Sequence, residues 1–307
     1  MPIAIVPDGL AGLRADYAAG RLFGVARARV EQTAANGGLR LNGQPIAKSE
    51  RLKAGALLEI DIDQPRVIQV HPQLAENVQI IYDDADLVVI DKPAGIAAHP
   101  SLGWDGPSVV EHLAAAGFEV CTSGPPERKG IVSRLDVGTS GLMVVAKSEL
   151  AYSCLKEAFS NRMVHKVYHG LVQGYPDLDE STIDVPIAHA RTHEWKMMVD
   201  STGRTAITHY TRIETVPKAT LLRIILETGR THQIRVHMAA IRHPLVGDLL
   251  YGADPKLASQ LSLTRQWLHA VELGFVHPRS GEPILFQSNY PEDLELSLDT
   301  LRKSKHS

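Results

Sequence analysis

Residues 130–148, GIVSRLDVGTSGLMVVAKS, decide how this chain is read. The first half is too rich in Gly, Thr and Ser for a helix, and it sets Arg134 and Asp136 two residues apart. The second half, Leu142-Met143-Val144-Val145-Ala146, is an unbroken apolar run of strand length, which predicts a buried strand. A carboxylate on a glycine-flanked loop against a rigid strand is a common way to build an active site. The same residues also describe a surface turn carrying an ordinary ion pair, so the rest of the chain has to choose between the two.

Working outward, most segments read as strands. Residues 78–82 and 87–90 are strand candidates, with Asp83-Asp84-Ala85-Asp86 turning between them. Ser148 is placed to cap a helix running to Asn161, with Leu150, Leu155 and Phe159 among its apolar positions. Further strands are predicted over 167–172, 206–210 and 221–226. Strands that do not alternate regularly with helices predict an α+β domain with a largely antiparallel sheet.

Residues 64–76 divide the chain, because Gln64-Pro65 and His71-Pro72 interrupt regular structure after an alternating strand over 57–62. A small unit precedes this linker. Residues 26–35 are helix-compatible, Asn36-Gly37-Gly38 is a stop, Leu39-Arg40-Leu41 is a short strand and Asn42-Gly43 is a hairpin signal. Arg27 and Arg29 lie on the helix, with Arg40, Lys48, Arg51 and Lys53 beyond it.

Composition bounds the function. A chain of 307 residues with 44% hydrophobic content exceeds a typical single domain and can fill a sizeable core. The opening MPIAIVPDGLAGLRADYAAGR holds no long apolar stretch, so it reads as neither a signal peptide nor a membrane span. Cys121 and Cys154 stand far apart without Cys-x-x-Cys spacing, which argues against a disulfide framework and for a reducing, cytoplasmic setting.

The net charge of −3 does not suit a uniformly basic nucleic-acid binder, but its distribution does. Residues 1–53 carry eight Lys or Arg against four acids, and residues 201–243 carry seven against two. Screening confines electrostatics to about 10 Å, so a local basic face can bind phosphate on a chain that is near neutral overall. There is no Gly-x-Gly-x-x-Gly and no Walker-type Gly-Lys-Ser/Thr. His232 and His237 are five apart, and His189 and His193 lack nearby Cys or acidic partners, so neither pair makes a case for zinc. No cofactor and no metal are expected.

Four segments in a fixed order resemble the RluA-type RNA pseudouridine synthases. They are Asp91-Lys92-Pro93-Ala94-Gly95 with His99-Pro100, then Arg134-Leu135-Asp136 followed by Thr139-Ser140-Gly141 and a strand ending Ala146-Lys147, then Lys166-Val167-Tyr168, and then residues 227–251, ETGRTHQIRVHMAAIRHPLVGDLLY. One departure is Ser133, where the family usually has His before Arg-Leu-Asp. That touches a contact of the imidazole rather than the carboxylate. Residues 10–63 are similar to the S-four-like RNA-binding domain, named for a small-subunit ribosomal protein.

The resemblance implies a mixed, bifurcated sheet with flanking helices and a central cleft, over residues 77–300. It implies isomerisation of a uridine flipped out of structured ribosomal or transfer RNA, by a monomer with no membrane association. Asp136 matches the family's catalytic aspartate and Arg235 the arginine paired with it. A buried carboxyl alone tends to protonate, and an adjacent guanidinium reverses that. Tyr168 matches the active-site tyrosine, able to stack on uracil and to help remove the proton from carbon 5. Arg134 matches the residue that fills the stacking vacancy left by the flipped base. Leu135 and Ile234 would wall the pocket, with Thr139 and Lys166 beside the RNA and Arg27, Arg29 and Arg40 in the N-terminal footprint.

Two other classes remain at this point. Ser133 alone supports an RNA-binding relative without activity, which would act as a chaperone or assembly factor. A hydrolase built on Asp136 with Ser140 or a nearby His lacks the Gly-x-Ser-x-Gly elbow.

Overall fold

The computed structural model describes residues 2–23, 25, 27–61, 72–101, 104–190 and 193–304. The chain separates into two compact units, Met1–Val67 and Ile68–Ser307. Residues 64–71 of the linker expected at 64–76 lie outside the described residues.

In the first unit, helices Ala15–Phe23 and Arg27–Ala35 accompany a four-stranded antiparallel sheet ordered Ile3–Ile5, Leu57–Ile60, Leu39–Leu41, Gln44–Pro45. The core-facing residues of the first helix are small. Ala15, Ala18 and Ala19 are fully buried against Val30, Leu39, Leu58 and Ile60, and small side chains let the elements approach closely. Asn42 and Gly43 both take positive φ, at 49° and 79°, as a two-residue hairpin of the primed type requires. The strand Ile3–Ile5 was not foreseen, since Ile3 and Ile5 are exposed and give no burial pattern.

The second unit is α+β, built on a nine-stranded sheet. Its order is Gln79–Asp83, Leu87–Lys92, Ser140–Ala146, Leu268–Val276, His165–Gln173, Ala219–Leu226, Ile207–Val216, Glu180–Asp184, with Pro283–Gln287 joined to Leu268–Val276. All neighbours are antiparallel except Ser140–Ala146 with Leu268–Val276. The sheet forks on that strand: His269 and Ala270 pair with Ser140 and Gly141, while Glu272 to Val276 pair with Pro283–Gln287. At the fork the backbones touch. A Cβ on Gly141 would lie 2.4 Å from the Ala270 carbonyl oxygen, and its φ is +116°, so only glycine fits.

The apolar run after the Asp136 loop is the strand Ser140–Ala146, with every residue buried. Met143 and Val145 enter one core with Val88, Ile90, Leu113 and Ile224, while Leu142, Val144 and Ala146 enter another with Ala151, Leu155 and Phe275. Burial on both faces removes the polar alternation of a one-sided strand. The helix capped by Ser148 is Glu149–Ser160, and the serine oxygen accepts from the Ala151 N–H at 3.1 Å. Its inward residues are Ala151 and Leu155, whereas Leu150 is 44% exposed, which corrects that position of the expected face. Among the described residues no helix is long and apolar enough to cross a membrane.

Candidate active site

The loop that carries Asp136 leaves the core at Leu135 and re-enters it at Thr139, both buried. The Thr139 N–H closes the turn on the Asp136 carbonyl at 3.0 Å, and the Gly95 N–H binds the next carbonyl, that of Val137, at 2.9 Å. Lys92 reaches the same carbonyl at 3.4 Å from a fully buried position, and its ammonium also donates to Pro93 and Ile96 carbonyls at 2.9 and 3.0 Å. Burial pulls this lysine down to about 7, against the opposing pull of the Asp136 charge. The Asp-Lys-Pro segment and the Arg-Leu-Asp segment are thus one physical support.

Arg235 comes from the helix Gln233–Ala240. Its Nη1 lies 3.4 Å from Asp136 Oδ2, but its shorter bonds go to Asp248, from Nε at 2.7 Å and from Nη2 at 2.9 Å. Asp248 completes the fork geometry of the guanidinium and leaves the remaining nitrogen for Asp136. The Tyr251 ring lies 5.0 Å from the guanidinium carbon. His232, the residue before this helix, takes a left-handed conformation at φ 55°. Its Nδ1 is 2.9 Å from the Tyr251 hydroxyl and its Nε2 is 3.8 Å from Asp136 Oδ2. Tyr251 also accepts from the Met197 N–H at 3.1 Å, and the imidazole edge away from Tyr251 faces Asp136. Burial holds this imidazole below its ordinary value and therefore neutral.

Tyr168 projects from the strand His165–Gln173 and is 9% exposed. Burial and the Asp136 charge both push its phenol upward, so it stays protonated at neutral pH. Lys166, two residues earlier, sits over the Phe159 ring at 5.5 Å and is pulled down by burial. Arg134 is exposed, and its Nη2 donates to Thr231 Oγ1 at 2.8 Å.

These groups open on one cleft of about 620 Å³, and Arg134, Leu135, Asp136, Thr139, Lys166, Tyr168, Ile234 and Arg235 all line it. The eight residues that sequence places in this site therefore converge. Residues 86–240 match the family model described as RNA pseudouridylate synthase. An uncharacterized RNA pseudouridine synthase of Mycobacterium bovis is 54% identical over 298 residues, covering 97% of each chain. This chain belongs to the RNA pseudouridine synthases, in their RluA-type family.

A relative named ribosomal large subunit pseudouridine synthase D, from Xanthomonas campestris pv. campestris, is 38% identical over 310 residues, covering 98% of this chain and 92% of its own. The solved structure of human RNA pseudouridylate synthase domain containing 1 aligns with a TM-score of 0.57 at 26% identity, over 77% of this chain and 98% of that one. The synthase is thus an isomerase that acts on RNA, and its forked sheet is the pseudouridine synthase fold.

Sequence reasoning missed Asp248, Tyr251, Thr231 and the part His232 plays at Asp136. Asp248 and Tyr251 sit at the end of the quoted 227–251 stretch, so an acid and a phenol there were the available signal. Among the described residues, one group has metal-like spacing, Asp84, Asp86 and His277. Its atoms already serve one another: Asp84 accepts from Tyr82 and pairs with His277, while Asp86 is held by Arg279.

The N-terminal arginines belong to the first unit. Asp16 is fully buried and accepts Arg14 at 3.1 and 2.9 Å and Arg27 at 3.2 and 3.0 Å. The hydrogen bond from Arg14, with Arg27 adding to it, holds that carboxyl well below the usual range. Both guanidiniums keep an outer face in solvent, at 43% and 53% exposure, around a hollow shared with Tyr17 and Arg51. Arg40 is half-buried on its strand, and Arg29 lies on the helix of Arg27 with its side chain outside the described residues.

Proposed function

We propose that this synthase isomerises uridine in ribosomal RNA, that Asp136 supplies the anionic oxygen at the glycosidic centre, and that the target nucleotide is flipped out of the RNA into the cleft. The carrying observation is the Asp136 carboxylate in the cleft between the Arg235 guanidinium and the His232 imidazole. Support for ribosomal RNA comes from the relative named for the large ribosomal subunit.

The reaction breaks the bond from ribose carbon 1 to N1, turns the uracil and joins carbon 5 to carbon 1. Carbon 5 gives up a proton and N1 takes one, so no atom or electron is exchanged with a partner. What the chemistry needs is an anion, a fixed geometry and a proton path. Arg235, held by Asp248, and the His232 imidazole together flank the Asp136 oxygen. Arg134, exposed at the cleft, enters the space the base leaves, where a planar cation meets both stacked bases and phosphate.

Tyr168 stacks on the uracil and relays the carbon-5 proton. As a neutral phenol it accepts that proton only as its own passes on, and Asp136 is close enough for its charge to act on the ring hydroxyl. Tyr168→Phe is expected to lower kcat about 100-fold with little change in KM, which is the usual size of a lost acid–base group. Release of tritium from RNA labelled at uridine carbon 5 measures it, and wild-type turnover would remove Tyr168 from the proton path.

The N-terminal unit adds phosphate contacts through Arg27, Arg29, Arg40 and Arg51. Replacing Arg27 and Arg51 together by Gln is expected to weaken RNA binding about tenfold at physiological salt. The slope of log affinity against log salt should fall by about 2. Filter binding across a salt series reads both, and an unchanged slope would place these arginines off the RNA.

The activity itself is tested by mapping pseudouridine, by carbodiimide labelling and primer extension, in ribosomal and transfer RNA of cells lacking the protein. A ribosomal site lost on deletion and restored by the wild type, but not by Asp136→Asn, is the expected pattern. A lost site in transfer RNA instead would correct the substrate, and full rescue by Asp136→Asn would end the assignment of that carboxylate.

A further inference from the structure

Beyond residue 240, where the match to the family model stops, two consecutive residues reach back to the Asp136 loop. Arg265 Nη1 donates to the Gly138 carbonyl at 3.2 Å, while its Nε and Nη2 grip both oxygens of Asp293 at 2.7 and 2.8 Å. Asp293 lies in the first turn of the C-terminal helix Glu292–Lys303. Gln266 is buried and donates to Thr139 Oγ1 at 3.1 Å. It also packs flat on the loop: a Cβ on Gly138 would lie 2.5 Å from its Oε1.

The loop is therefore held from two sides. Lys92 and Gly95 fix the Val137 carbonyl, and Arg265 and Gln266 fix the next two residues. We propose that Arg265, Gln266 and Asp293 are positioning residues for Asp136, and that the C-terminal helix is a working part of the active site through the Asp293–Arg265–Gly138 bridge. The proposal rests on the reading of Asp136 as the reacting group.

The physical case starts from the chemistry of the bridge. Arg265 is 9% exposed in its side chain and carries a charge that Asp293 neutralises with a two-toothed contact. A bidentate pair fixes the plane of the guanidinium, so its third nitrogen points at Gly138 rather than sweeping a cone. Gly138 is two residues from Asp136, and the turn bond from Thr139 N–H to the Asp136 carbonyl passes any shift of the loop to the catalytic carboxylate. Displacement of a reacting group by about 1 Å can cost on the order of 100-fold in rate without altering ground-state binding.

The test compares Arg265→Gln, Arg265→Lys and Asp293→Asn with Arg302→Gln. Arg302 anchors the same helix to Glu214, at 2.6 Å, and does not touch the loop. Single-turnover tritium release is measured on the carbon-5-labelled ribosomal transcript that the wild type converts, with Asp136→Asn alongside. Amide exchange is followed over residues 133–145 at a temperature where all variants are folded.

Arg265→Gln should lower the rate of the bound complex about 30- to 100-fold with RNA affinity unchanged, and speed exchange in the loop. Asp293→Asn should do the same to a smaller degree, Arg265→Lys should recover part of the rate, and Arg302→Gln should match the wild type. Equal losses in Arg265→Gln and Arg302→Gln, or unaltered exchange in the loop, would reduce the bridge to ordinary helix anchoring. Activity in Asp136→Asn would mean instead that the underlying site assignment has failed.

Discussion

Asp136→Asn is expected to abolish isomerisation while leaving the fold intact. The loss should be at least about 10⁴-fold in single-turnover rate, the scale seen when the reacting group of a catalytic constellation is removed. An amide presents an oxygen in nearly the same place but without negative charge, so it can neither bond to carbon nor balance a developing cation there. The fold should tolerate the change because Asp136 is not the main partner of any buried group. Arg235 keeps both of its shorter bonds to Asp248, at 2.7 and 2.9 Å, when the 3.4 Å contact weakens. The Asp136 turn is closed by backbone, from Thr139 N–H to the Asp136 carbonyl. A change in unfolding free energy below about 1 kcal/mol follows, typical of a substitution that leaves buried groups paired. Tritium release and thermal melting read the two halves separately. Turnover within tenfold of the wild type would show that the carboxylate is not the reacting group, whatever the melting curve says.

How far the sequence could be read depends on where each signal sits. The strand Ser140–Ala146 was legible because burial on both faces leaves an unbroken apolar run. Asn42-Gly43 was legible because few residues accept positive φ at both turn positions. Asp136 and Arg235 are 99 residues apart, and no periodicity joins them; only the order of motifs shared with a family does so.

The strand at the fork of the sheet, Leu268–Val276, was not singled out, because it carries His269 and Glu272. Buried His269 is nonetheless satisfied, by Ser140 at 2.8 Å and Ser288 at 3.0 Å. Burial pushes it down to about 3, so it sits in the core as a neutral group. Lys92 is the same case in stronger form: a lysine in an Asp-Lys-Pro turn reads as surface, yet it is fully buried and satisfied by three carbonyls. Polar residues whose partners lie far along the chain carry no local mark of burial, and Asp248 was overlooked for that reason.

Asp248→Asn is expected to damage both stability and chemistry, in contrast to Asp136→Asn. The Asp248 side chain is 1% exposed and that of Arg235 9%, so the pair sits in a low-dielectric setting with two charge-assisted bonds. Asparagine preserves the shape and one acceptor but removes the charge, leaving a buried guanidinium whose remaining carboxylate is Asp136. Breaking a buried pair from one side costs about 3–5 kcal/mol, and the retained acceptor places this variant near the lower end. For a unit of this size that corresponds to a melting temperature lowered by roughly 6–12 °C.

The guanidinium should then turn toward Asp136 and tighten that contact. A carboxylate drawn into a closer ion pair is both displaced and less available to the substrate, so kcat should fall about 100-fold at temperatures where the variant is folded. The double variant discriminates between the parts: with Asp136 already replaced, Asp248→Asn should still lower the melting temperature but find no further activity to remove. If the single variant melts early yet turns over like the wild type once folded, Asp248 anchors the helix Gln233–Ala240 and has no part in presenting Arg235 to Asp136. If both effects appear together, the reach of Arg235 toward the cleft is set from behind, by a residue that the substrate never touches.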